Sequence, residues 1–188
     1  KTSCFHSFGM TETISHIALR PIKSGIKNEY YECLNHVQIG NNNEKQLVIS
    51  SKKLGIDSST TNDIVEISGN QVFKYIGRKD NIINSGGLKI HCELIEKTLS
   101  QHLNPSHFFI DKEPHNEMGE ICVLICLESI DEKSILEATA RIQDKKQVPK
   151  KVYWVKKIHF NSNYKMDRIK TKQEAFLVNS YKSLSSLT

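Results

Sequence analysis

The 188-residue chain carries 26 Lys and Arg against 21 Asp and Glu, a formal charge of +5, with 38% apolar and 25% charged residues and only 9 Gly and 4 Pro. That composition excludes collagen-like, low-complexity and grossly disordered chains. The longest apolar run, Ile121-Cys122-Val123-Leu124-Ile125-Cys126-Leu127, falls far short of the roughly 18 residues of a membrane span, and the start, Lys1-Thr2-Ser3-Cys4-Phe5, lacks the apolar stretch of a signal peptide. At about 150 residues per domain the length predicts one or two domains. The start also lacks Met, so the expectation is a piece of a longer chain. Five cysteines, an odd number with no C-x-x-C pair, argue for reduced, packed thiols and a cytoplasmic setting rather than a disulfide framework or zinc ribbon.

In chain order, residues 4–8 read as a short strand. Residues 40–63 are polar and loop-rich apart from a strand at 46–51. Residues 63–68 and 71–76 alternate apolar and polar side chains around Gly69-Asn70, which predicts a hairpin. Gly77-Arg78-Lys79-Asp80-Asn81 interrupts that pattern, so the domain boundary falls there, giving domains 1–79 and 80–188. Beyond it, Leu94, Ile95, Leu99 and Leu103 recur at helical spacing. Residues 108–111 and 120–127 read as strands joined by a turn at 114–119, the second strand apolar enough to be buried on both faces. Asp131 suits the cap of a helix striped by Ile135, Leu136, Thr139 and Ile142 and ended by Pro149. A strand at 152–155 and a helix at 167–181 complete the reading: an α+β chain, strand-rich first and mixed afterwards.

Charge is uneven. Residues 145–172 hold ten basic side chains against Asp167 alone, a local +9 that leaves −4 on the remainder. Such a segment suits a phosphate-bearing small molecule, an anionic surface or nucleic acid, although any single lysine is most simply a solvated side chain.

Four segments hold polar or glycine residues that packing alone does not require. Phe8-Gly9-Met10-Thr11-Glu12 follows the first strand; glycine admits a ligand to the backbone, and the adjacent hydroxyl and carboxylate suit a phosphate oxygen and its Mg²⁺. Thr61-Asn62-Asp63 offers a carboxylate for two sugar hydroxyls. Gly77-Arg78-Lys79-Asp80 leads to Ser85-Gly86-Gly87, a pattern unusual for a mere linker. Asn161-Ser162-Asn163-Tyr164-Lys165-Met166-Asp167-Arg168 presents one lysine between a strand and a helix. Each has an ordinary reading as a turn or surface loop.

In this order the four segments resemble elements of the adenylate-forming superfamily, which contains acyl-CoA synthetases, luciferases and peptide-synthetase adenylation domains. The resemblance runs from about residue 4 to 171 and covers the C-terminal part of such an enzyme: the β-rich end of a large adenylation domain followed by a small α+β lid domain. Within the superfamily, SFGMTETISHIALR (7–20), TNDIVE (61–66) and NIINSGGLK (81–89) most resemble the 2-succinylbenzoate–CoA ligases of menaquinone synthesis. Phe8 stands where Tyr is common, Asn62 and Tyr164 stand where Gly is usual, and Cys92 replaces a frequent Pro. The Ser/Thr/Gly-rich loop that grips the ATP phosphates in this superfamily is not among the 188 residues, so the expectation for this chain alone is negligible ligation.

The resemblance implies a two-step reaction in which a carboxylate attacks the α-phosphorus of ATP and the thiol of coenzyme A then displaces AMP. Thr11, Glu12 and Lys165 are the implied catalytic residues, with Glu12 the Mg²⁺ ligand. Phe8, Gly9, Met10, Asp63 and Arg78 are implied to hold the nucleotide, Ser85, Gly86 and Gly87 to border the pantetheine path, and Asp80 to be the hinge. The partners implied are a small carboxylic acid, ATP and coenzyme A, with no nucleic acid and no membrane span, and an oligomeric assembly is compatible with them. Two other readings stand beside it: another aryl- or acyl-CoA ligase, with His16 and residues 14–17 lining the acid pocket, and a non-catalytic basic module that stacks nucleic-acid bases on Tyr153, Trp154, Phe160 and Tyr164.

Overall fold

β-branched and aromatic residues punctuated by turn residues make strands the main element among the described residues before position 80. In the computed structural model, which describes residues 3–22, 28–178 and 181–186, the chain divides into units Lys1–Asp80 and Asn81–Thr188. The first holds β1 (Cys4–Gly9), β2 (His16–Ile22), β3 (Tyr30–Cys33), β4 (Gln38–Asn41), β5 (Gln46–Ser51), β6 (Ile56–Ile67) and β7 (Val72–Arg78). They form one antiparallel sheet in the order β1-β2-β3-β7-β6-β5-β4. Phe8 on β1 lies edge-on to Phe73 on β7, ring centroids 5.1 Å apart, across two intervening strands. On a flat sheet with roughly 4.8 Å between strands these rings would not meet, so the sheet is strongly curled. The core of this unit is the cluster Ile17, Ala18, Tyr31, Cys33, Val37, Leu47, Ile49, Val65 and Phe73.

The polar run 57–61 is strand rather than loop. Ser59 and Thr60 pair with Ile49 and Val48 of β5, and the Gln46 amide donates to the Thr61 carbonyl at 2.8 Å; an exposed strand needs a paired backbone more than apolar side chains. Asp63 is therefore inside β6 and not at a loop-to-strand junction. Gly77 does not interrupt β7 either, because its register partner Ile64 carries the ladder on to Arg78.

The second unit comprises β8 (Ile82–Ser85), β9 (Leu88–His91), α1 (Cys92–Leu99), β10 (Phe108–His115), β11 (Gly119–Leu127), α2 (Glu132–Thr139), β12 (Lys151–Val155), α3 (Arg168–Val178) and β13 (Tyr181–Ser183). β11 pairs antiparallel with β10 and parallel with β12, and α2 lies in the crossover that a parallel pair requires. The apolar run of β11 is divided by the two-residue period of a strand. Cys122, Leu124 and Cys126 face a core with α1 and α2, whereas Ile121, Val123 and Ile125 face one with α3.

Three expectations are revised. Residues 82–91, a stretch singled out for its glycine pair but given no strands, form a hairpin, because Gly86 and Gly87 both take left-handed conformations, φ +54° and +82°, as a two-residue hairpin turn demands. α2 stops at Thr139, ten residues before Pro149. The Thr139 hydroxyl bonds back to the Ile135 carbonyl at 2.8 Å, and the Arg141 and Ile142 amides reach only three residues back, which tightens the helix to an end. Tyr181 leaves α3 to begin β13, where it pairs with Tyr153.

Candidate functional site

Phe8 sits where the curl of the sheet carries the end of β1 toward β7. Phe8 is half-buried, its ring against Tyr31, Phe73 and Tyr75 at 5.4, 5.1 and 6.0 Å. Gly9 follows at a bulge in the β1–β2 ladder. A Cβ there would lie 2.7 Å from the Ser15 carbonyl oxygen and 2.8 Å from the His16 Cα, so the close approach that requires glycine is made by the chain itself. Met10 packs on the core, and residues Thr11–Thr13 make one 3₁₀ turn. Thr11 is exposed on that turn. The backbone of Glu12 belongs to it, while its side chain lies outside the described residues.

Thr13, 2% exposed, holds this turn together. Its hydroxyl is 2.7 Å from the Ser15 carbonyl and 3.0 Å from that of Met10. Ile14 beside it is left-handed, φ 58°, and 96% exposed, an unfavourable conformation for a β-branched residue. Ile17 is fully buried in the core, so it does not line an acid pocket, whereas His16 is exposed with Nδ1 3.3 Å from the Ser15 hydroxyl.

Asp63 and Arg78 are register partners on adjacent strands. The ladder thus brings a carboxylate and a guanidinium fifteen positions apart onto neighbouring sites, with the Asp63 amide also donating to the Thr61 hydroxyl at 3.1 Å. Asp80 follows in a 3₁₀ turn over Lys79–Asn81. Its carboxylate accepts from the Asn62 amide at 3.1 Å and lies 3.6 Å from the Arg78 guanidinium. Asn62 thus engages Asp80, the residue expected to be the hinge.

In the second unit, Ser85, Gly86 and Gly87 border a groove of about 480 Å³ also lined by Leu88, Met118, Lys146 and Lys150. The Gly86 amide donates to the Met118 carbonyl at 2.9 Å, and a Cβ on Gly86 would meet the Met118 methyl at 3.0 Å.

Lys165 belongs to a loop closed by a bridge between Phe160 and Met166. Asn161 organises it. The Asn161 Oδ1 accepts from the Asn163 and Lys165 amides, both at 3.0 Å, its own amide donates to the Lys165 carbonyl at 2.8 Å, and its carbonyl accepts from the Tyr164 amide at 3.0 Å. Tyr164 is left-handed, φ 56°. That explains physically why glycine suits the position and what Tyr164 costs there, about 1–2 kcal/mol. Lys165 is exposed and makes no ion pair among the described residues.

The basic run is less positive in space than in sequence. Lys151 pairs with Glu113 at 2.6 Å, Arg168 with Glu96 at 2.8 Å and Lys172 with Asp111 at 2.7 Å. Of its aromatics, Tyr153 is buried and Trp154 donates to the Ile130 carbonyl at 3.1 Å, whereas Phe160 and Tyr164 are exposed. Burial pushes the Glu96 carboxyl above its ordinary range, against the pull of Arg168. Burial likewise raises the thiols of Cys33, Cys122 and Cys126 to about 12, leaving them inert. No cluster of three or more His, Cys, Asp or Glu suited to a metal occurs among the described residues, and none of the described helices is long and apolar enough to cross a membrane.

Sequence reading named neither Thr13 nor Asn161 as an organiser. Asn161 was discoverable, since an Asn at the head of a polar loop is an Asx-turn signal. The Glu96–Arg168 pair was not, because 72 positions separate its members.

No protein-family model and no curated protein matches the chain. Solved structures do. An acyl-CoA synthetase (AMP-forming)/AMP-acid ligase II-like protein from Dyadobacter fermentans is 33% identical with a TM-score of 0.49, over 92% of this chain and 51% of that one. Coronafacic acid ligase from Pectobacterium brasiliense is 20% identical with a TM-score of 0.70, over 95% of this chain and 40% of that one. O-succinylbenzoate coenzyme A synthetase from Bacillus subtilis, solved with ATP and a magnesium ion, is 16% identical with a TM-score of 0.72, over 90% of this chain and 41% of that one. The chain spans about half or less of the length of these proteins. Its fold is that of the C-terminal portion of adenylate-forming enzymes.

Proposed function

We propose that this chain is the C-terminal part of a cytoplasmic ATP-dependent acid–CoA ligase that makes an acyl-adenylate and then a thioester, with 2-succinylbenzoate as the acid. The observation that carries the reading is the register pairing of Asp63 with Arg78: within this fold it sets an acceptor for ribose hydroxyls beside a cation. Phe8 adds an aromatic surface backed by Tyr31, Phe73 and Tyr75. Thr11, exposed on its turn, donates to the α-phosphate. Glu12 holds Mg²⁺, a cation that takes one or two carboxylates and keeps phosphate and water as its other ligands; when bound it neutralises the charge of that phosphate.

Lys165 supplies a mobile ammonium where the carboxylate and phosphate oxygens accumulate charge, which is electrostatic stabilisation rather than covalent work. Asp80, held by Asn62 and Arg78, is the hinge between half-reactions. The side-chain-free turn at Gly86-Gly87 leaves a path for pantetheine, and Lys146 and Lys150 at the same groove meet the phosphates of coenzyme A.

The test is Lys165→Ala in the full-length protein. Adenylation of 2-succinylbenzoate should fall about 100-fold or more while thioester formation from supplied acyl-adenylate is spared. Equal loss in both steps, or none in adenylation, removes the assignment. Turnover of a different aryl or acyl acid with 2-succinylbenzoate inert would keep the ligase and replace its substrate.

A further inference from the structure

Lys165 is an exposed side chain on a five-residue loop, and a flexible ammonium there would spend most of its time away from any reacting atom. The loop itself is internally closed by Asn161, but internal closure does not fix where it stands on the domain. What fixes it is the chain on either side. Before the loop, His159 accepts at its carbonyl from the Asp167 amide, 2.8 Å, and donates its own amide to the Thr171 hydroxyl, 3.0 Å. After it, three residues beyond Lys165, Arg168 opens α3 and turns inward.

The Arg168 surroundings form a closed set. Its Nη2 donates to Glu96 Oε2 at 2.8 Å, its Nη1 lies 3.4 Å from the Ile110 carbonyl oxygen, and its guanidinium sits 5.5 Å from the Phe109 ring centre. The other Glu96 oxygen, Oε1, accepts from the Ile110 amide at 2.9 Å. Glu96 on α1 and Arg168 on α3 thus grip the two polar groups of one residue of β10, the N–H and the C=O of Ile110. Side-chain exposure is 19% for Glu96 and 31% for Arg168, so the pair is partly desolvated and geometrically demanding. One turn further along α3, Lys172 repeats the tie to the same strand through Asp111 and the Lys112 carbonyl. A surface helix that only needed to cover apolar side chains would not require a guanidinium aimed inward at its first residue.

We infer that Arg168 and Glu96 are positioning residues that hold the Lys165 loop against β10, acting through the start of α3 and touching no reactant. This rests on the reading of Lys165 as the group that serves adenylation. A displacement of about 1 Å at such a group costs on the order of 100-fold in rate, so loosening the clamp should lower adenylation 10- to 100-fold.

A mutant cycle in the full-length protein tests it, with 2-succinylbenzoate and ATP as probes. Arg168→Gln should depress kcat for adenylation while leaving thioester formation from supplied acyl-adenylate unchanged, and should have less than a twofold further effect when Lys165 is already Ala. Independent losses that multiply in the double variant, or equal loss in both half-reactions, would overturn the inference. Arg168→Lys keeps the charge opposite Glu96 but cannot span to Ile110 at the same time, so it should fall between wild type and Arg168→Gln; it also serves if the Gln variant does not fold. A second arm needs no substrate: backbone ¹⁵N order parameters of Asn163, Tyr164 and Lys165 in this chain should drop in Arg168→Lys and Glu96→Gln while those of β11 hold. Unchanged loop order refutes the clamp whatever Lys165 does. If Lys165→Ala leaves adenylation intact while the loop loosens, the functional reading fails and the positioning stands.

Discussion

The two candidate regions are held in place by different means. In the first unit, Asp63 and Arg78 are set by a β-ladder, so their neighbourhood depends on backbone hydrogen bonds that no single side chain supplies. In the second, Lys165 depends on side chains: Asn161 inside its loop and Arg168 with Glu96 outside it. A ladder distributes its strain over many bonds, whereas a side-chain clamp concentrates it on a few. Point substitutions should therefore disturb the second region selectively and the first only where the backbone is left no room.

The largest contrast is chemical. With thiols pushed up to about 12 by burial, only about one in ten thousand is ionised at pH 8. Native chain treated with iodoacetamide should label the exposed Cys4 and spare Cys33, Cys122 and Cys126. Denaturant-dependent labelling, resolved by mass spectrometry, then reports the opening of the first unit through Cys33 and of the second through Cys122 and Cys126. Labelling of both sets at one denaturant concentration would mean that the units unfold together.

The backbone-limited place in the first unit is the Gly9 turn. Gly9→Ala should destabilise that unit by about 1–3 kcal/mol, since its neighbours at 2.7 and 2.8 Å are backbone atoms that cannot step aside. Thr13→Val, which removes the one hydroxyl donor shared by the Ser15 and Met10 carbonyls while the Thr13 amide still reaches Met10, should cost less, about 0.5–1.5 kcal/mol. Both are read as a lowered urea midpoint for Cys33 labelling with the Cys122 midpoint unmoved.

Smaller effects belong to the exposed Lys165 loop. Tyr164→Gly should stabilise it by about 1 kcal/mol by relieving the left-handed strain, partly offset by the greater freedom of glycine when unfolded; raised order parameters for residues 161–166 are the readout. The smallest concerns α2. Asp131 accepts from the Ser134 amide at 2.8 Å, and this bond holds its carboxyl below the ordinary 3.8. A depressed folded-state pKa contributes stability above about 3.8 that is lost as pH falls through the folded value. Asp131→Ala should therefore lower stability slightly at pH 7 and flatten its decline below pH 4, followed by circular dichroism.

By itself the sequence determined whatever depends on local pattern: the two-faced burial of β11 from its unbroken apolar run, the Asp131 cap, the hairpin around Gly69, and the identity and order of the four polar segments. It misplaced 57–61 because serines and threonines look like loop until a neighbouring strand offers them a ladder, and it left the short strands beside Gly86-Gly87 unread because their Ile83 and Ile90 are buried only once α1, α2 and β11 close over them. Tertiary structure alone decided the curl that carries Phe8 to Phe73, the face-to-face register of Asp63 and Arg78, and the meeting of Glu96 with Arg168 on Ile110. Those contacts join residues tens of positions apart, and their free energy exists only once the intervening chain has been folded, so no local signal announces them.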